Sequence, residues 1–230
     1  MPREVLRTKT FAGEAAGFIL AAARQALGSR GEFRLALSGG NTPRAVYLEM
    51  AKHEMPWEQF HFTFGDERCV PPDSKESNFR MANETLFRPA AVPESSILRM
   101  RGEINPTEAA DEYQSRLDAL AAKRNEKIYE HDLILLGLGD DGHTASLFPE
   151  TRALSETARR VVANHVQKLD SWRLTFTFPL IFATRAVCFL IGANKDPNLL
   201  ERVFSGDPAL PAARVDRGSR KVTWIIEQNS

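Results

Sequence analysis

The chain has 230 residues, 43 % hydrophobic and 26 % charged, a balance typical of a folded globular protein and unlike disordered, collagen-like or disulfide-dense chains. Lys plus Arg and Asp plus Glu each number 30, so no bulk field favours nucleic acid or an anionic membrane, and any anion must be held locally. Cys69 and Cys188 match no redox or zinc spacing and read as free thiols in a reducing cytoplasm, and the length suits one α/β domain over residues 1–230.

Arg3, Arg7 and Lys9 precede an apolar run at 15–23 that superficially imitates a signal peptide. The run is too short to span a bilayer, and Glu14, Arg24 and Gln25 extend it with helical spacing. An amphipathic helix over 11–27, ending at Gly28, is therefore expected, with no targeting segment. Strand-length apolar runs follow: FRLAL at 33–37, FHFTF at 60–64, DLILLGL at 132–138, RLTFTF at 173–178, AVCFLI at 186–191 and VTWII at 222–226. Further helices are predicted between many of them, over 43–52, 78–87, 107–124 and 197–204. Residues 161–166 could pair as a strand with 173–178. The basic stretch 214–221 reads as a solvated loop.

This alternation predicts an α/β fold. Strands apolar at every position, such as 133–136, suggest burial on both faces. The expected architecture is a doubly wound, mostly parallel sheet with helices on both faces, a Rossmann-like three-layer sandwich.

Four strands end in unusual sequence: SGGNT at 38–42, GDER at 65–68, GLGDDGH at 137–143 and GANK at 192–195. In an open parallel sheet the carboxyl ends of the strands share one edge, so these segments can form one site. Ser38, Gly39, Gly40, Asn41 and Thr42 lead from a strand into a helix with Pro43 in its first turn. Glycines there let the backbone approach an anion, and free amides with the Thr42 hydroxyl can donate to it. No Gly-Lys-Ser/Thr ending follows, so a phosphate monoester fits better than a nucleoside triphosphate. Arg68 and Lys195 are the candidate cationic partners, with Arg185, just before a strand, as a third.

Residues 137–142 satisfy the G-x-G-x-x-G dinucleotide pattern, but Asp140 and Asp141 would stand where a pyrophosphate must approach. The segment instead suits an imidazole held at the sheet edge. His143 is the candidate general base, and either Asp141 or Asp66 could fix its tautomer. The remaining histidines show no metal-ligand spacing, so no metal is implied. Cys69 lacks a nucleophile signature, which leaves water as the nucleophile.

Five motifs in order, LALSGGNTP at 35–43, FGDERCVPPDSKESN at 64–78, LLGLGDDGHTASLFP at 135–149, RLTFTFP at 173–179 and GANK at 192–195, resemble the 6-phosphogluconolactonase family. That family lies in the larger group containing glucosamine-6-phosphate deaminases. The resemblance implies hydrolysis of 6-phospho-D-glucono-1,5-lactone, the second step of the oxidative pentose phosphate pathway, without metal or organic cofactor. It implies a phosphate site at Ser38 through Thr42, Arg68 and Lys195, with His143 as base. The implied partner is a small phosphosugar lactone rather than nucleic acid or membrane, with a monomer as the default and a cytoplasmic location. Two positions depart from the family pattern, Phe182 where Asn is common and Glu227 where Asp is. A deaminase would carry a further acid in an Asn-Glu-Pro segment after the Asp-Gly-His motif, where this chain has Phe148 and Pro149. A non-catalytic phosphosugar sensor would need an output segment, and no helix-turn-helix segment is appended.

Overall fold

The computed structural model describes residues 3–229; Met1, Pro2 and Ser230, the ends of the expected 1–230 domain, lie outside the described residues. Strand β1 (Arg3–Thr8) leads to helix α1 (Phe11–Arg30), β2 (Phe33–Leu37), α2 (Asn41–Met50) and β3 (Phe60–Phe64). A short strand β4 (Asp66–Arg68), α3 (Asn78–Ala82) and α4 (Pro106–Ala122) follow, then β5 (Leu133–Leu136), β6 (Val161–Val166) and β7 (Ser171–Phe176). The chain closes with α5 (Phe178–Ala183), β8 (Val187–Ile191), α6 (Pro197–Ser205), α7 (Pro211–Gly218) and β9 (Val222–Glu227).

Six strands form one parallel sheet in the order β1-β9-β8-β5-β2-β3. Successive side chains of a strand point to opposite faces, and here both faces are apolar. Leu133, Leu135, Cys188, Leu190 and Ile225 pack with α1 and α2 on one side. Ile134, Leu136, Phe189, Trp224 and Ile226 pack with α4 to α7 on the other. The continuous apolar runs thus mark buried strands, and the expected doubly wound arrangement is the one found.

The chain leaves β2 toward β3 but returns through β5 toward β8 and β9, so the direction of winding reverses between β2 and β5. Loops leaving the carboxyl ends of these two strands diverge and open a crevice at that switch point. A second sheet, β4-β7-β6, is antiparallel and lies on the α4 side. It contains the expected pairing of 161–166 with RLTFTF, and it turns the GDER segment, expected as a loop, into a strand.

Other departures have local causes. The first helix runs to Arg30 and ends on Gly31, whose φ of 75° suits a left-handed cap. β1 has an exposed, charged sequence and owes its conformation to pairing with β9, Val5 opposite Trp224. The stretch expected as a loop at 214–221 is helical to Gly218, because Val215 and Asp216 are buried there. Asp216 accepts a hydrogen bond from Trp224 Nε1 at 2.8 Å and ion-pairs with Arg3, tying helix, sheet edge and N-terminal strand together. No helix among the described residues is long and apolar enough to cross a membrane.

Candidate active site

A cavity of about 1190 Å³ opens at the carboxyl edge of the sheet, lined by all four segments expected there. The loop after β2 is held from below by buried Tyr47, whose hydroxyl donates to the Ser38 carbonyl at 2.8 Å and accepts from the Ser38 amide at 3.0 Å. A Cβ on Gly39 would lie 1.8 Å from Asn78 Oδ1, so only glycine fits. Gly40 has a φ of 103° and precedes α2, which has no side-chain cap. The first-turn amides of α2 therefore lack an internal partner, and with the helix dipole they can accept an anion. Buried Ser38 Oγ has no hydrogen-bond partner among the described residues and also lines the cavity.

Strand alternation divides the Asp-Glu-Arg motif by function. Asp66 and Arg68 line the cavity. Glu67 points the other way and accepts the amides of Arg68, Asn78 and Phe79 at 2.7–2.8 Å, with burial raising its carboxyl above the usual range. It fixes the segment that caps α3. Asp66 accepts from Ser146 Oγ at 2.6 Å and from Asn78 Nδ2 at 3.2 Å.

The two candidate partners of His143 are resolved by contact. Nδ1 lies 2.5 Å from Asp141 Oδ1, which also accepts the His143 amide at 3.1 Å. Asp66 makes no hydrogen bond to the ring and acts on it through space. A neutral imidazole beside Asp141 carries its proton on Nδ1, leaving Nε2 as acceptor. The ring stacks on Phe148 with centroids 3.9 Å apart, and a Cβ on Gly139 would lie 2.0 Å from it. Burial pushes His143 down to about 4, opposed by Asp66 and Asp140 and reinforced by Lys195 and Arg173. The G-x-G-x-x-G segment opens into an isolated bridge, Thr144 to Leu147, rather than a helix, consistent with rejection of a dinucleotide turn.

Lys195 lines the cavity with its ammonium 2.6 Å from Asp140 Oδ1, a carboxylate that is almost fully exposed. Arg68 donates to the Glu76 carbonyl. Arg185, a candidate cation from the sequence, does not belong to the site. It precedes β8 and so stands at the amino edge of the sheet, where it pairs with Glu130 and Asp132. Cys69 is half-buried and its thiol is pushed up to about 11 by that burial, the reverse of an activated nucleophile.

Sequence reasoning missed two cations. Arg173 lines the cavity opposite Arg68 across β4 and β7, and its guanidinium is held below its ordinary range by burial and by Arg68. Its signal was the alternation of Arg173 and Thr175 with Leu174 and Phe176. Lys168, from the β6–β7 turn, also lines the cavity, and no sequence pattern marked it. The two family departures are accommodated locally. Phe182 stacks on Phe178 and fills the space beside Gly218, while Glu227 accepts the Ala193 amide at 3.2 Å and steadies the loop bearing Lys195.

Residues 7–224 match the family model described as glucosamine-6-phosphate isomerases/6-phosphogluconolactonase. The chain is 38 % identical over 209 residues to a 6-phosphogluconolactonase of Synechocystis sp., covering 90 % of this chain and 86 % of that protein. It is 38 % identical over 219 residues to one from Chlamydia pneumoniae, covering 92 % and 81 %. Among solved structures, the Thermotoga maritima 6-phosphogluconolactonase superposes with a TM-score of 0.87 at 26 % identity, covering 99 % of this chain and 100 % of that one.

Proposed function

Because the chain belongs to the glucosamine-6-phosphate isomerase/6-phosphogluconolactonase family, we propose that it hydrolyses 6-phospho-D-glucono-1,5-lactone to 6-phosphogluconate with His143 as general base. The observation that carries this reading is the Asp141–His143 pair in a cavity that also contains Arg68, Arg173 and an uncapped helix start. One end can hold a dianion while the other moves a proton.

The substrate phosphate sits against the first turn of α2, Thr42 and the two guanidiniums, and replaces Asp140 on Lys195. Remote anchoring of this kind orients the lactone carbonyl and lowers the entropic barrier. His143 Nε2 takes a proton from water as the water oxygen bonds to the lactone carbonyl carbon. The tetrahedral oxyanion then collapses, the bond from that carbon to the ring oxygen breaks, and Nε2 returns its proton to the departing oxygen. Asp141 holds the ring in the required tautomer and stabilises the transient imidazolium.

The rival within the family, isomerisation with amine loss, calls for a further proton-transferring acid on the segment after His143. Here that segment places the Phe148 ring against the imidazole, and a phenyl ring transfers no proton. The two readings separate on substrate. Wild-type protein is expected to accelerate acid release from freshly generated 6-phosphogluconolactone above the spontaneous rate, and to release no ammonia from glucosamine 6-phosphate. The opposite pattern would overturn the lactonase reading.

A further inference from the structure

The carboxylate that orients His143 has a second partner from outside its own loop. Lys168 lies in the turn Gln167–Leu169 between β6 and β7, and its ammonium pairs with Asp141 Oδ2 while Oδ1 faces His143 Nδ1. The same ammonium lies 4.8 Å from the centre of the Phe148 ring, the ring stacked on the imidazole. Lys168 thus touches both groups that hold the imidazole.

The hairpin tip positions this lysine. Asp170 adopts the left-handed conformation with a φ of 41° and reverses the chain immediately after the turn. His165 and Asp170 approach to 3.5 Å across the tip, and Trp172 packs on the His165 ring with centroids 5.1 Å apart. The lysine side chain is half-exposed, so its place on Asp141 reflects charge pairing rather than burial.

We propose that Lys168 is a positioning residue that holds Asp141 in register with Nδ1 and limits protonation of Nε2, an inference that rests on the reading of His143 as the base. The charged groups facing the imidazole are Asp66 from β4, Arg173 from β7, Lys195 after β8, and Asp140 and Asp141 on its own loop. Among the described residues, Lys168 is the group that engages Asp141 from another element. A carboxylate shared with an ammonium stabilises an adjacent imidazolium less than a free one does. It also has less freedom to rotate away from the ring. Loss of Lys168 leaves Asp141 more negative and less fixed, so the imidazole gains proton affinity and loses alignment together.

The test is a titration of the histidine rings by ¹H–¹³C NMR on the full chain, with the His143 signal identified by its loss in His143→Gln. In Lys168→Met the His143 midpoint is expected to rise by about half a pH unit or more, the scale of one partly screened charge at this range. Lys168→Arg retains the charge and is expected to keep the wild-type midpoint. Trp172 indole shifts that match wild type in both variants show that the hairpin tip is intact. The corresponding kinetic signature is a fall in kcat with KM held. An unmoved His143 midpoint in Lys168→Met overturns the proposal, as does a rise in KM without a midpoint shift, which would make Lys168 a substrate ligand. Because the titration needs no turnover, it stays decisive even if wild-type protein fails to hydrolyse the lactone, a failure that would sink the lactonase reading alone.

Discussion

Arg68 and Arg173 stand opposite one another across the antiparallel β4–β7 pair, and neither guanidinium is ion-paired to a carboxylate among the described residues. Like charges directly opposite in a sheet are destabilising, so the arrangement suits an anion that the free protein does not supply. Removal of either guanidinium is expected to raise KM for the phospholactone by roughly ten- to hundred-fold, the scale of a charge-assisted hydrogen bond, with a smaller effect on kcat. Arg185→Ala is expected to leave KM unchanged, since that residue is at the opposite edge of the sheet. Steady-state kinetics of the three variants check this, and a wild-type KM in Arg173→Ala would remove that residue from the phosphate site.

The pH dependence of turnover follows from the environment of His143. As the proposed base, His143 must be neutral to accept a proton, and burial lowers its proton affinity from the ordinary 6.5 to about 4. A lowered value means the active form persists as pH falls and is lost only as pH approaches that lower value. The acid limb of kcat/KM, corrected for the substrate phosphate's own ionisation near about pH 6, is therefore expected below 6.5. A limb at or above 6.5 in the corrected profile would contradict the buried, neutral base.

Phe182 and Gly218 form a packing pair that can be tested by stability alone. A Cβ on Gly218 would lie 2.4 Å from Phe182 Cε1, closer than real contacts allow. Gly218→Ala is expected to destabilise the fold by about 1–3 kcal/mol through overpacking, read as a drop in the urea midpoint. Combining it with Phe182→Leu is expected to recover part of that loss. Purely additive destabilisation in the double variant would show that the two positions are not coupled.

The sequence revealed what local pattern controls. β5 and β8 were legible because both of their faces are buried, which demands an apolar residue at every position. β1 was not, since its charged residues take strand conformation only through β9. Most of the site was legible because its loops follow strands directly, and a loop after a parallel strand must reach the carboxyl edge. The same rule explains Arg185: a residue before a strand stands at the other edge. That rule does not reach Arg173 and Lys168, because they enter the cavity from the small antiparallel sheet. Its pairing of β4 with β7 joins distant segments that no local periodicity connects. The choice between Asp66 and Asp141 likewise depended on the turn that brings Asp141 Oδ1 to both the amide and the ring of His143.

The most direct measurement is the rate of acid release from freshly prepared 6-phosphogluconolactone, net of spontaneous hydrolysis, for wild type and His143→Ala at saturating substrate. Wild type is expected to turn over the lactone, with kcat falling by roughly 10²- to 10⁴-fold in the variant, the usual contribution of a general acid–base group. A folded His143→Ala protein that keeps wild-type kcat would contradict the assignment of His143 as the base.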